Sequence, residues 1–269
     1  MEKCQKAECG FNGSPVVSEA GSFDRFPQGV LRIEYKSGID GLSDRALAVP
    51  GTDPFDIGVV VLHGHGSSGD QLFTWKQLGS WRDFLRKVRC GILSPNLRNN
   101  AWMSPEAVED LAALIRFAKE RFNWQKIIIA SGSMGGSGGL IFASHHPELA
   151  DAVIALGAAT DLDSYVSWCE RQELEVCSRI ASAIRESYHN DRELMRSHST
   201  LARCDKLTMP VWLCHGTHDE IIPVSQSRKL AGKLADAPNF VYQEIWQGDH
   251  DSPTLLFNEC LSKMMISLL

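Results

Sequence analysis

"SGSMGGSGG", residues 131–139, follows the branched apolar run "KIIIA" at 126–130 and sets three serines among five glycines. Two of those serines fit a Gly-x-Ser-x-Gly frame: Ser137 in "GGSGG", and Ser133 in "SGSMG", where a serine stands in the first glycine's place. Geometry separates them. A nucleophile elbow requires a strand that stops abruptly, a strained residue at the turn and small neighbours that let strand and helix approach. The strand ends at about Ala130, which puts Ser133 at the turn with Ser131, Gly135 and Gly136 as the small neighbours. Ser137 lies one helical turn later, where its hydroxyl meets the carbonyl four residues back. A phosphate-binding loop at this place would need Gly-Lys-Ser/Thr, and no lysine follows.

Outward from this turn, "IGVVVLHG", "CGILSPN", "DAVIALG", "PVWLCHG" and "NFVYQEIW" repeat the short, mostly apolar pattern of "KIIIASG". Such runs suit parallel strands covered on both faces. Upstream, "VLRIEYKSG" and "RALAVPG" alternate and read as paired strands at a sheet edge. Helical patterns lie between the strands. In "SPEAVEDLAALIRFAKERF" Val108, Leu111, Ile115, Ala118 and Phe122 form one stripe behind a Ser104 cap, and "SPTLLFNECLSKMMISLL" repeats the scheme near the C-terminus. The alternation predicts an α/β fold: a mostly parallel, eight-stranded sheet flanked by helices. About fifty residues, 160–209, interrupt it with their own helical stripe of Cys177, Ile180, Ile184 and Tyr188, read as a small helical cap. Residues 1–22 are polar and read as a loosely held segment, and 23–269 as one domain carrying the insertion.

A formal net charge of −6 offers no general basic field for nucleic acid or an anionic membrane. No window of about 18 apolar residues exists, and the start "MEKCQKAECGFNGSP" lacks the apolar stretch of a signal peptide, so the chain reads as cytoplasmic. The eight cysteines, spread from Cys4 to Cys260, read as reduced thiols, and none forms a Cys-x-x-Cys pair.

A serine hydroxyl is a poor nucleophile at neutral pH and needs a base, which in turn needs an orienting group. "HGTHDEIIP" after the strand "PVWLC" presents Asp219, and "QGDHDSP" after "NFVYQEIW" presents His250. The developing oxyanion needs backbone N–H groups. Met134, next after the nucleophile, and His65, in the glycine-flanked turn "HGHG", are the candidates.

The stretches "HGHG", "SGSMGG", "HGTHDEIIP" and "GDH" resemble the α/β-hydrolase superfamily, in particular its prolyl-oligopeptidase-like and dienelactone-hydrolase-like serine hydrolases. The likeness spans roughly residues 57–269, and Ser133, Asp219 and His250 stand in that fold's nucleophile–acid–histidine order. Two departures stand out: Ser131 replaces the usual glycine, and Asp249 replaces the glycine before the histidine. Dienelactone hydrolases carry a cysteine nucleophile and oligopeptidases a large propeller. Position 133 is serine, and only about 60 residues precede "HGHG".

These readings converge on a serine hydrolase of carboxylesterase type, acting on a small or polar ester without cofactor or metal. A small serine peptidase of the same mechanism and a non-catalytic binding module are the alternatives. Asp161 and Asp163 stand as alternative acids or as helix caps of the insertion. Arg98, Asn100 and Trp102 in "LRNNAW" read equally as substrate contacts or as a surface turn, and Tyr165 and Trp168 as pocket wall or as anchors of the cap. The histidine pairs His63/His65 and His215/His218 lack a metal-ligand spacing.

Overall fold

The computed structural model describes residues 10–20, 26 and 29–269. They build a sheet of nine strands: β1 (Val16–Glu19), β2 (Leu31–Lys36), β3 (Ser43–Val49), β4 (Ile57–Val60), β5 (Gly91–Pro95), β6 (Lys126–Gly132), β7 (Ala152–Leu156), β8 (Val211–Gly216) and β9 (Phe240–Ile245). Their spatial order is β1-β2-β3-β5-β4-β6-β7-β8-β9. The first three pair antiparallel along one edge, and from β5 to β9 all pairs are parallel. Eight strands are expected from the sequence; the ninth is β1. Its residues pair with β2 through the backbone while their side chains stay largely exposed, so hydropathy carries no trace of it. The expected loose segment 1–22 is therefore part of the sheet at Val16–Glu19. Residues 1–9, 21 and 22, with Cys4 and Cys9, lie outside the described residues.

Every residue of β4, β5 and β7 is buried, as two-sided coverage demands. The helices are α1 (Gln71–Thr74), α2 (Gly79–Val88), α3 (Pro105–Phe122), α4 (Ser133–His145), α5 (Leu162–Cys169), α6 (Glu175–Ser187), α7 (Arg192–His198), α8 (Ser225–Lys233) and α9 (Phe257–Ser267). Ser104 caps α3 as expected, accepting from the Ala107 N–H. One core lies under α3, α4 and the apolar faces of α5 and α6. The other lies under α2 and α9, whose Trp81 and Phe257 rings stack 3.8 Å apart. The chain runs from β4 to β5 on one side, then crosses back to β6 on the other, so β4 and β6 flank the point where strand order reverses. Open α/β sheets place their ligands at the carboxyl ends of strands at such a point. No helix of the described residues is long and apolar enough to cross a membrane. The six cysteines among them are free thiols, and burial pushes that of Cys90 up to about 12.

The insertion is fastened to the body by buried polar bonds. His198, at the end of α7, donates from Nε2 to the Met103 carbonyl (3.1 Å), and its ring packs 4.0 Å from that of His145. Burial, with His145 beside it, pulls the His198 imidazole down to about 4. A depressed histidine stays neutral in the folded chain while the unfolded chain takes up a proton near pH 6.5, so its stability contribution is present above that pH and is lost as pH falls towards 4. Unfolding free energy should therefore drop by on the order of 2 kcal/mol between pH 7 and 5. Urea titrations at the two pH values measure this, and equal midpoints would exclude it.

Candidate active site

Strand β6 stops at Gly132 and α4 begins at once with Ser133, which takes the left-handed φ of 57°. A non-glycine residue in that region is strained, and the strain presents its side chain at the turn. The approach of α4 to β4 explains Gly135: a Cβ there would lie 2.3 Å from the Leu62 carbonyl oxygen. Ser131 has its own use, because its Oγ accepts the Leu62 N–H at 2.7 Å and ties β6 to the chain just after β4. Ser137 is fully buried; its hydroxyl donates to the Ser133 carbonyl (3.1 Å) and accepts from the Ala159 N–H (2.8 Å).

The loops after β8 and β9 bring Asp219 and His250 to Ser133. His250 Nε2 lies 2.9 Å from Ser133 Oγ, and His250 Nδ1 lies 2.7 Å from Asp219 Oδ2. The two loops touch backbone to backbone at Gly216, where a Cβ would meet the Asp249 carbonyl oxygen at 2.2 Å. Asp219 is buried and its other oxygen, Oδ1, accepts the N–H groups of Ile221 (2.9 Å) and Ile222 (2.8 Å). A second histidine reaches it from below. His215 is fully buried, its Nε2 is 3.2 Å from Asp219 Oδ2 and 2.8 Å from the Ile222 carbonyl, and its Nδ1 is 2.6 Å from Ser227 Oγ. Since the Ile222 carbonyl and the Asp219 carboxylate can only accept, Nε2 carries a proton. Burial alone would raise the Asp219 carboxyl, but the bonds from His215 and His250 outweigh it and hold the group well below the ordinary range. Asp249, in place of the usual glycine, folds its own loop: its Oδ1 accepts from the N–H groups of Asp251 (3.2 Å) and Ser252 (2.9 Å) and from the Ser252 hydroxyl (2.7 Å).

Asp161 caps α5 through the Ser164 N–H at 3.3 Å, and Asp163 is held by Arg192 (2.7 Å) and Arg196 (2.9 Å). Neither reaches His250.

On the other side of Ser133 lies the turn after β4. The Gly64 N–H donates to Gln71 Oε1 and the Gly66 N–H to Asn100 Oδ1, both at 2.7 Å. The His65 N–H between them meets no acceptor among the described residues. Burial lowers the His65 imidazole, and its neutral ring accepts the Trp102 indole N–H at Nδ1 (3.2 Å). Met134 stands in the first turn of α4, where the helix itself supplies no acceptor for its N–H.

Ser133 and His250 open into a cleft of about 600 Å³ walled by Gln71, Leu72, Trp75, Leu78, Trp81 and Leu255. No residue of 160–209 lines it. Tyr165 is fully buried and donates to the Ile221 carbonyl at 2.9 Å; Trp168 packs on it. Both anchor the insertion. Arg98 is bound by Asp110 (2.7 Å), Asp40 (2.8 Å) and Ser37 (2.8 Å) on the far side of its loop. Asn100 and Trp102 touch the 64–66 turn rather than the cleft. The wall that sequence reading missed is "QLFTWKQLGSW", 71–81, where two tryptophans and two leucines directly follow a site loop.

The family model for the alpha/beta hydrolase fold matches residues 58–170. The chain has the α/β-hydrolase fold. An esterase of Pyrococcus furiosus superposes on it with a TM-score of 0.68 at 15% identity, covering 95% of this chain and 98% of that one. The fluorophosphonate-binding serine hydrolase F of Staphylococcus aureus gives 0.65 at 15% identity, with 87% and 97% covered. Mouse alpha/beta hydrolase domain-containing protein 10 gives 0.60 at 17% identity, with 96% and 100% covered. At such identities the likeness is one of fold.

Proposed function

We propose that this α/β-hydrolase is a serine hydrolase that cleaves a small carboxylic ester through an acyl-enzyme. The observation that carries the reading is the relay of 2.9 Å from Ser133 Oγ to His250 Nε2 and 2.7 Å from His250 Nδ1 to Asp219, opening on an accessible cleft. Ser133 Oγ attacks the ester carbonyl carbon while His250 Nε2 takes the hydroxyl proton. Asp219 holds the ring in the Nδ1–H tautomer and stabilises the imidazolium. The tetrahedral oxyanion is received by the His65 and Met134 N–H groups. On collapse the bond to the alcohol breaks, and His250 passes its proton to the departing oxygen. Water then attacks the acyl-enzyme with His250 again accepting a proton, and collapse releases the acid and restores Ser133. Similar folds that include an esterase and a fluorophosphonate-binding serine hydrolase agree with this chemistry.

The substrate follows from the wall. Leu72, Trp75, Leu78, Trp81 and Leu255 offer apolar surface to a short acyl chain or an aromatic ring, within a volume suited to a small ligand. Asp249 and Asp251 stand at the same cleft and oppose anionic substrates. In a panel of p-nitrophenyl esters below their micelle concentrations, kcat/KM is expected to rise from acetate to butyrate, since each CH₂ buried contributes up to about 0.8 kcal/mol. It should fall at least about tenfold by laurate, about 1.4 kcal/mol of transition-state binding. A rate that climbs steadily to laurate would place a long acyl groove here, and faster cleavage of peptidyl amides would replace the esterase reading by a peptidase.

A further inference from the structure

Five of the seven residues 97–103 are non-glycine residues in the left-handed region: Leu97 (φ 44°), Arg98 (59°), Asn99 (58°), Trp102 (46°) and Met103 (54°). Such a conformation is strained and persists only where its surroundings over-determine it. They do so from two sides. On the first, Asp44 accepts the Arg98 N–H (2.7 Å), and the Arg98 guanidinium is clamped by Asp40, Asp110 and Ser37. On the second, the Tyr188 hydroxyl faces the carbonyls of Trp102 (3.1 Å) and Met103 (2.9 Å), and His198 donates to the latter. Tyr188 is 0% exposed. Both Tyr188 and His198 belong to the insertion.

The loop held in this way extends two polar side chains, and both end on the turn after β4. Asn100 takes up the Gly66 N–H, and the Trp102 indole donates to the His65 ring. With Gln71 on the Gly64 N–H, the peptides on either side of the His65 N–H are pinned, while that one donor meets no acceptor among the described residues.

We infer that Asn100 and Trp102 are positioning residues for oxyanion stabilisation. The insertion 160–209 acts with them through Tyr188, holding the Trp102–Met103 segment so that the His65 N–H is aimed before substrate arrives. The inference rests on the serine-hydrolase reading above. A donor stabilises a developing charge without reorganisation only if it is fixed beforehand, and a displacement of about 1 Å can cost on the order of a hundredfold in rate. The insertion thus serves the site from behind, consistent with its absence from the cleft wall.

The test uses the full chain and its Asn100→Ala, Trp102→Phe and Tyr188→Phe variants, with kcat expressed per site titrated by a fluorophosphonate. Expected for Asn100→Ala and Trp102→Phe is a loss of roughly tenfold or more in kcat with KM within about twofold, and of about threefold or more for Tyr188→Phe. A trifluoromethyl ketone, which forms a tetrahedral adduct on the nucleophile, should lose affinity by the same factors. Because kcat is counted per competent site, a variant that folds poorly still reports; Asn100, half-buried, is the least disruptive of the three. Unchanged kcat per titrated site with only a lower Tm or fewer sites would make these residues structural and overturn the inference, as would a shift in KM alone. A wild-type chain that hydrolyses no ester and is not labelled at Ser133 overturns the serine-hydrolase reading, and the inference with it, before any substitution is compared.

Discussion

Replacement of Ser133 by alanine is expected to lower kcat by a thousandfold or more and to abolish labelling by a fluorophosphonate, with substrate KM little changed. The magnitude follows from the role: without the nucleophile no acyl-enzyme forms, and only the oxyanion donors and binding act on a water-mediated reaction. The sharper comparison is Ser137→Ala. That substitution removes the acceptor of the buried Ala159 N–H, so it should cost about 1–3 kcal/mol of stability while leaving the protein labelled and active. Mass spectrometry of the labelled peptide separates the two serines. Label on Ser137, or full activity in Ser133→Ala, would move the nucleophile away from the elbow.

That comparison also marks what local sequence can carry. The turn at Ser133 was legible because it is defined within a few residues: a β-branched run, small residues, Ser133 itself and two glycines. The same holds for Asp219 and His250, each a few residues past an apolar strand, and for the hydroxyl of Ser137 meeting the carbonyl of Ser133. Strand β1 was not legible, since a backbone-paired edge with exposed side chains has no hydropathic signature. Arg98 was ambiguous because its partners, Ser37, Asp40 and Asp110, lie far from it in sequence and meet it only once the sheet edge and α3 have packed. Tyr165 and Trp168 were ambiguous for a different reason. Aromatic residues at the start of an insertion pack equally well inward or toward a site, and periodicity does not say which side of Ser133 the insertion occupies. The cleft wall is broken between the four-residue α1 and the start of α2, too short to show a helical stripe. Its visible signal was composition: Trp75, Leu78 and Trp81 close behind "HGHG".

The acid of the relay yields the second large effect. Asp219→Asn is expected to lower kcat by on the order of 10⁴ while the chain remains folded. All the acceptor positions that Asp219 offers are occupied: Oδ2 by the two histidines His250 and His215, Oδ1 by the N–H groups of Ile221 and Ile222. An amide has one edge that donates, and in this pocket either edge faces N–H groups. If the NH₂ points to the histidines, His250 turns to the tautomer whose Nε2 carries the proton and cannot receive that of Ser133; if it points to the loop, two backbone donors lose their acceptor, at about 1–3 kcal/mol each. The expected loss in kcat corresponds to the first orientation, which also leaves the His215 Nε2–H facing a donor, so activity and stability fall together there, unlike in Ser133→Ala. The depressed carboxyl gives the pH dependence its sign. Asp219 contributes stability above the ordinary carboxylate range and loses it as pH falls below about 4, so wild type should lose stability there and Asp219→Asn should lose less. Acid–urea titrations of the pair, beside kcat at neutral pH, make the measurement. Near-normal turnover in the asparagine variant would remove Asp219 from the relay; Asp161, which caps α5, and Asp163, which is held between two arginines, are both already engaged elsewhere.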